Sequence, residues 1–194
     1  MKELGKYSFG IGDRFSHEGK AQLSALTDAY IKYGINFVPV WNKSNREHQI
    51  VNTSPADTRL EADEAVNALG YGDLYFVDAD HINMNNVDKF VNVSDFFTID
   101  VADYIGKAAS NESVSVFTQN NRKYIGNLLI PGIEQPFKVD QALIEQMATK
   151  DLFAIQEAGR IYRHIVEKRG ADDFVTEVSM DEGDSPQSPT EIFF

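Results

Sequence analysis

Residues 75–83 read YFVDADHIN. Tyr75, Phe76 and Val77 form an apolar run, and Asp78, Asp80 and His81 follow with no intervening turn. A continuous apolar run of this length suits a strand buried on both faces, the kind found in parallel sheets covered by helices. Polar groups at its C-terminal end are costly to bury, so they must be paired, solvated or functional. This stretch sets the two expectations for the chain: a parallel α/β sheet, with chemistry at its strand ends.

Working outward, strand-like and helix-like segments alternate. KYSFGIGDR (6–14) reads as a first strand running into a glycine turn, and Ser16 is the expected cap of a helix that carries Leu23, Leu26 and Tyr30 and stops at Gly34. INFVPVW (35–41) is a second strand. TSPADTRLEADEAVNALG (53–70) opens a helix with Ser54 at the N-cap, Pro55 at its first position and Asp57 in the first turn. Ala62, Ala65, Val66 and Leu69 give that helix its apolar face, and Gly70 ends it. LYFVDAD and FFTIDVAD are the third and fourth strands. ESVSVFTQNNRKYIGNLLIPG (112–132) reads as an irregular insert containing a hairpin, residues 140–168 as one long helix, and DFVTEVSM as a fifth strand. The third glycine of a dinucleotide fingerprint is missing after GIG at 10–12. The expected fold is therefore a parallel (β/α) barrel of the TIM type, forming a single α/β domain over 1–194. SPTEIFF (188–194) announces one more helix through a Ser188–Glu191 capping box. Five strands are too few for a closed barrel, so the barrel is expected to be incomplete, the front part of a longer protein.

Composition narrows the function. Eighteen basic residues against 30 acidic ones give a net charge of −12, which argues against nucleic acid or an anionic membrane as partner. The absence of cysteine excludes disulfides, thiolate catalysis and thiolate metal sites. A bound metal would have to use His, Asp, Glu or neutral oxygens. No apolar run approaches the roughly 20 residues that span a bilayer, and MKELGKYSFGIGDR has no signal-peptide core. The expectation is a cytoplasmic protein, with oligomerisation open.

Every proposed strand ends in polar residues: Asp13, Arg14 and His17; Asn42, Lys43, Arg46, Glu47 and His48; Asp78, Asp80 and His81; Asp100 and Asp103; Glu177, Ser179, Asp181 and Glu182. Asp80 and His81 are the sharpest pair. An imidazole suits Mn, Ni, Zn or Co with a neighbouring carboxylate as co-ligand or base. Equally, Asp80 or Asn83 can cap the next turn beside a surface histidine. Glu177, inside an apolar strand, reads as a buried acid–base group or as the partner of a cation such as Arg14. Arg14 and Arg46 suit a substrate carboxylate, whereas Lys43 reads better as charge balance. His17 and His48 read as exposed loop residues, His164 as structural, and Trp41 as core. Asp181 and Glu182 read as loop solvation or an anchor for the next helix, with Asp78 and Asp181 weaker candidate ligands.

SFGIGDRFS, VPVWNKSNREH, PADTRLEAD, VDADHIN, FFTIDVADYIG, IPGI and EVSMDEGDSPQSPTE together resemble the tagaturonate/fructuronate epimerase family of bacterial hexuronate catabolism. The resemblance implies a metal-dependent, barrel-like isomerase that interconverts D-tagaturonate and D-fructuronate at C4. Carried over by position, it makes Asp80 the proton acceptor, His81 a ligand of a divalent cation (Mn, Ni, Zn or Co), and Glu177 the opposing proton donor. Arg14, with Asp13, would help to bind the anionic sugar. The C4 hydrogen lies β to the ketone and is not acidic, so the route expected is retro-aldol. One histidine does not make a metal site, and the remaining ligands are expected beyond Phe194. Two alternatives stay open: another metal-dependent sugar isomerase or aldolase, and a non-catalytic carbohydrate- or metal-binding barrel remnant.

Overall fold

The computed structural model describes residues 3–180 and 186–194. The chain divides into two compact units, Met1–Asp100 with Ile161–Ser179, and Val101–Arg160 with Met180–Phe194. In the first unit, β1 (Ser8–Ile11), β2 (Val38–Ser44), β3 (Phe76–Ile82), β4 (Phe96–Asp100) and β7 (Val175–Ser179) form one five-stranded sheet in the order β1-β2-β3-β4-β7. All four pairings are parallel. The connections carry α1 (Gly19–Tyr33), α2 (Asn45–Val51) and α3 (Pro55–Leu69).

Side chains alternate across the sheet, and the two faces carry different cores. Trp41 and Val77 point to one face and pack with Ile11, with Leu23 of α1 and with Ala62 and Ala65 of α3. Val40, Phe76 and Phe96 point to the other and pack with Val38 and Val175. Burying a side chain the size of Phe76 contributes about 2 kcal/mol, and here it fixes register as well, since a slip of one residue would exchange the two faces. The helix stops follow the sequence reading: Gly34 and Gly70 both take left-handed backbone, and Ser54 with Asp57 makes a capping box after which Pro55 begins α3.

The second unit has its own core of Leu128, Val139, Ile144 and Met147. It contains α4 (Asn111–Asn121), the antiparallel pair β5 (Gly126–Leu128) and β6 (Phe137–Val139), and α6 (Pro189–Phe193) with the expected Ser188–Glu191 capping box. The long helix α5 (Gln141–Arg169) contributes its residues up to Arg160 to this unit and the rest to the first.

The expectation of a TIM-type barrel is overturned. The parallel sheet is open among the described residues: β1 and β7 each pair with one neighbour, and β5 and β6 form a separate antiparallel sheet. Closure requires the first and last strands to meet at a consistent shear, which five strands do not supply. The class α/β holds and the barrel does not. Two local readings also change. Residues 111–121 are helix, started by Ser110, which accepts from Ser113 N at 3.1 Å, despite the β preference of Val114 and Val116. Ser16 does not cap α1; it has a left-handed φ of 58°, and Glu18 stands at the helix entry.

Candidate active site at the strand ends

The register stacks the strand ends on one face of the sheet. Asn42 pairs with Asp78 and Ser44 with Asp80 across β2 and β3; Thr98 pairs with Glu177 and Asp100 with Ser179 across β4 and β7. These residues alternate with, and follow, the apolar set Val40, Phe76, Phe96 and Val175 on the same face. The sheet face thus passes from an apolar floor to a polar rim in one strand length.

Asp80 and His81 are adjacent, and in a regular strand they would point apart. The β3–β4 ladder breaks between Ala79 and Ile82, where three steps along β3 match two along β4, and His81 takes a left-handed φ of 50°. A bulge of this kind re-aims one side chain, and a non-glycine residue in that conformation is strained. The result is that both residues face one place. His81 Nε2 lies 3.7 Å from Asp80 Oδ1, and its Nδ1 lies 3.4 Å from Asp100 Oδ2. The imidazole sits between two carboxylates, each from a different strand.

Around this centre two carboxyls, Asp78 and Asp80, are raised. Burial pushes Asp80 above its ordinary value, His81 opposes that, and the charges of Glu47, Glu177 and Asp100 add to it. Asp78, only 5% exposed, is pushed up to about 7, first by burial and then by Asp80, against the pull of two hydrogen bonds. Those bonds come from Thr98, whose N donates to Oδ1 at 3.1 Å and whose hydroxyl donates to Oδ2 at 2.9 Å. Glu177 is exposed on edge strand β7. Its charge nonetheless reaches Asp78 and Asp80.

Arg14 reaches the same group through Glu47, 3.6 Å away, and not through Glu177. Glu47 is fixed in turn by the capping box of α2: Ser44 N donates to its Oε2 at 3.1 Å and Ser44 Oγ accepts from its backbone N at 3.3 Å. Asp13 spends its carboxylate on its own loop, accepting from Phe15 N at 2.8 Å, His17 N at 3.0 Å and Glu18 N at 2.8 Å. Burial pushes this carboxyl up, but those backbone donors and Glu61 outweigh it and hold it below the ordinary range.

Among the other candidates, His17 is exposed, Trp41 is buried in the core, and His164 bonds Asp88 at 2.7 Å. His48, expected on a loop surface, is instead buried in α2 against Phe90, with Nδ1 2.9 Å from Thr53 Oγ1. Burial, with the charge of Lys43, lowers its pKa to about 4, so it is neutral at physiological pH. Asp181 and Glu182 lie outside the described residues. Two contributors had been given no role by the sequence reading. Asp100 was one strand-end acid among many, and Glu61 sat on the helix with no motif to mark it. Among the described residues no three His, Asp or Glu side chains are grouped closely enough to hold a metal ion. His81 with Asp80 and Asp100 offers the donor types a divalent cation takes, but only as part of a set.

Fold and site together define an α/β protein that gathers ionisable side chains at the ends of its parallel strands. The chain belongs to the tagaturonate epimerase family UxaE, whose pattern it matches over residues 2–194. Its fold is that of the native crystal structure of the fructuronate-tagaturonate epimerase UxaE from Cohnella laeviribosi, with a TM-score of 0.77 at 20% identity, covering 99% of this chain and 41% of that one. The one-glycerol complex of the same enzyme gives a TM-score of 0.74 at 20% identity, covering 96% and 40%, and the two-glycerol complex 0.72 at 19%, covering 99% and 41%. The chain thus spans about two-fifths of the length of these solved structures. No curated protein sequence matches it.

Proposed function

We propose that this protein works as an isomerase that interconverts D-tagaturonate and D-fructuronate in the cytoplasm by inverting C4. The observation that carries the reading is His81 held in a strained bulge between Asp80 and Asp100, in a chain whose family acts on this sugar acid. Asp80, with its raised carboxyl, takes the proton of the C4 hydroxyl. The C3–C4 bond then opens, the aldehyde half turns over, and the bond re-forms on its other face. Glu177, two strands along the sheet on β7, returns the proton. Arg14 offers a guanidinium to the substrate carboxylate, and Asp13 shapes the loop from which Arg14 reaches out. His81 would supply a nitrogen ligand to a divalent cation (Mn, Ni, Zn or Co), with further ligands from outside the described clusters. Such a cation would add Lewis-acid stabilisation of the negative charge that develops on the ketone oxygen.

The test is to incubate the protein with D-tagaturonate and each of the four cations and to follow D-fructuronate by NMR. Formation of the C4 epimer, with trapping of a three-carbon aldehyde by a carbonyl reagent, is the expected result. Turnover of neutral ketohexoses but not of uronates would replace this reading with a different sugar isomerase or aldolase.

A further inference from the structure

Behind the rim, on the helix side of the sheet, lies a second group of ionisable residues that the proposed chemistry does not use. Glu61 projects from α3 and is 8% exposed. It meets the β1–α1 loop at Asp13, Ser16 and Gly19. The approach is so close that a Cβ on Gly19 would lie 2.8 Å from Glu61 Cγ and 2.9 Å from its Oε1, so a larger residue there would displace the Glu61 side chain. Lys43, 2% exposed on β2, donates from Nζ to Ser16 Oγ at 3.3 Å. The loop's other ties are the Arg14–Glu47 pair at 3.6 Å and bonds within itself. Asp13 gathers three of its backbone N–H groups, and Ser16 is strained with a left-handed φ of 58°.

We infer that Glu61 is a positioning residue: through a proton shared with Asp13 it clamps the β1–α1 loop against α3 and so sets where Arg14 meets the substrate carboxylate. This rests on the epimerase reading given above. Two carboxyls in contact, one of them buried, disfavour a second negative charge, so the buried one holds its proton more tightly. Asp13 accepts from three amides and is best as the anion; Glu61 is the more deeply buried of the two, and burial outweighs the Ser16 hydroxyl and the Gly19 amide that it meets, so it is best as the neutral partner. In agreement, burial and then Asp13 push Glu61 up to about 7. Lys43, held on β2, adds a second tie to the loop through its hydrogen bond to Ser16 Oγ at 3.3 Å. Arg14 stands one residue from Asp13, so the clamp fixes its backbone while its side chain reaches Glu47.

A glutamine at position 61 can donate to Asp13 as the protonated acid does, whereas an alanine cannot. Hydrogen exchange on the intact protein therefore reads the clamp directly. Glu61→Ala should speed exchange at the amides of Phe15, His17 and Glu18 by roughly tenfold or more while β2–β4 stay protected, and Glu61→Gln should leave them slow. In uronate turnover, Glu61→Ala should raise KM by roughly tenfold with kcat within about twofold, and Glu61→Gln should restore it. Unchanged loop exchange in Glu61→Ala overturns the clamp. Opened amides with an unchanged KM overturn its role in placing Arg14. If the wild-type protein turns over no uronate, the epimerase reading fails instead, and the exchange result alone decides whether the clamp exists.

Discussion

At the scale of single residues, the site runs on carboxyls whose environments differ. Asp80 is raised by burial and by its acidic neighbours, against the pull of His81, which suits a group that must accept a proton. Asp80→Asn keeps the size and removes the base, and we expect kcat to fall by about 100-fold or more with the fold intact by circular dichroism. Asp78 has a different task. Its raised pKa means that the folded state holds a proton the unfolded chain has already lost. The stability it contributes is therefore complete below its ordinary value near 4 and is lost as pH rises through about 7. Glu61 acts in the same direction, whereas His48, depressed to about 4, contributes stability that is lost as pH falls below its ordinary 6.5. The difference between wild type and Asp78→Asn isolates one group. In urea denaturation between pH 4 and 7, the variant should lose less stability with rising pH, by up to about 1.4 kcal/mol per pH unit.

At the scale of elements, the bulge on β3 is the decisive feature. It turns adjacent residues of one strand into neighbours in one site, and it does so by holding His81 at a φ of 50°. A left-handed residue with a side chain costs about 1 kcal/mol relative to glycine. We therefore expect His81→Gly to be more stable than His81→Ala by about 1 kcal/mol in thermal unfolding, with both inactive. Equal stability of the two would mean that the bulge relaxes once the imidazole is gone. On the neighbouring strand, the Ser44–Glu47 capping box starts α2 and also holds the carboxylate that pairs with Arg14. Ser44→Ala should cost about 1 kcal/mol of stability and raise KM for the uronate, a link between a helix cap and substrate binding that kinetics can read.

At the scale of the whole molecule, chelation tests the metal. Treatment with EDTA should abolish epimerisation, and one of Mn, Ni, Zn or Co should restore it; full activity after exhaustive chelation would show that the carboxyls suffice. No described helix is long and apolar enough to cross a membrane. Much of the architecture was legible beforehand, because its signals are local. Ser54-Pro55 and Ser188-Pro189 start helices, Gly34 and Gly70 stop them, and the apolar runs around Val40, Val77 and Phe97 make buried parallel strands. The position of His81 beside Asp80 was visible too. What the sequence could not specify was sheet closure, since the pairing of first and last strands is a long-range matter. It could not foresee that Glu177 would fall on an exposed edge, that Asp100 would face His81 from the next strand, or that Glu61 would meet Asp13 from a helix 48 residues away along the chain. Residue type and spacing determine which groups can be polar, strained or capped. Only strand register and the packing of helices on the sheet decide which of them meet, because proximity in the fold has no counterpart in the order of the chain.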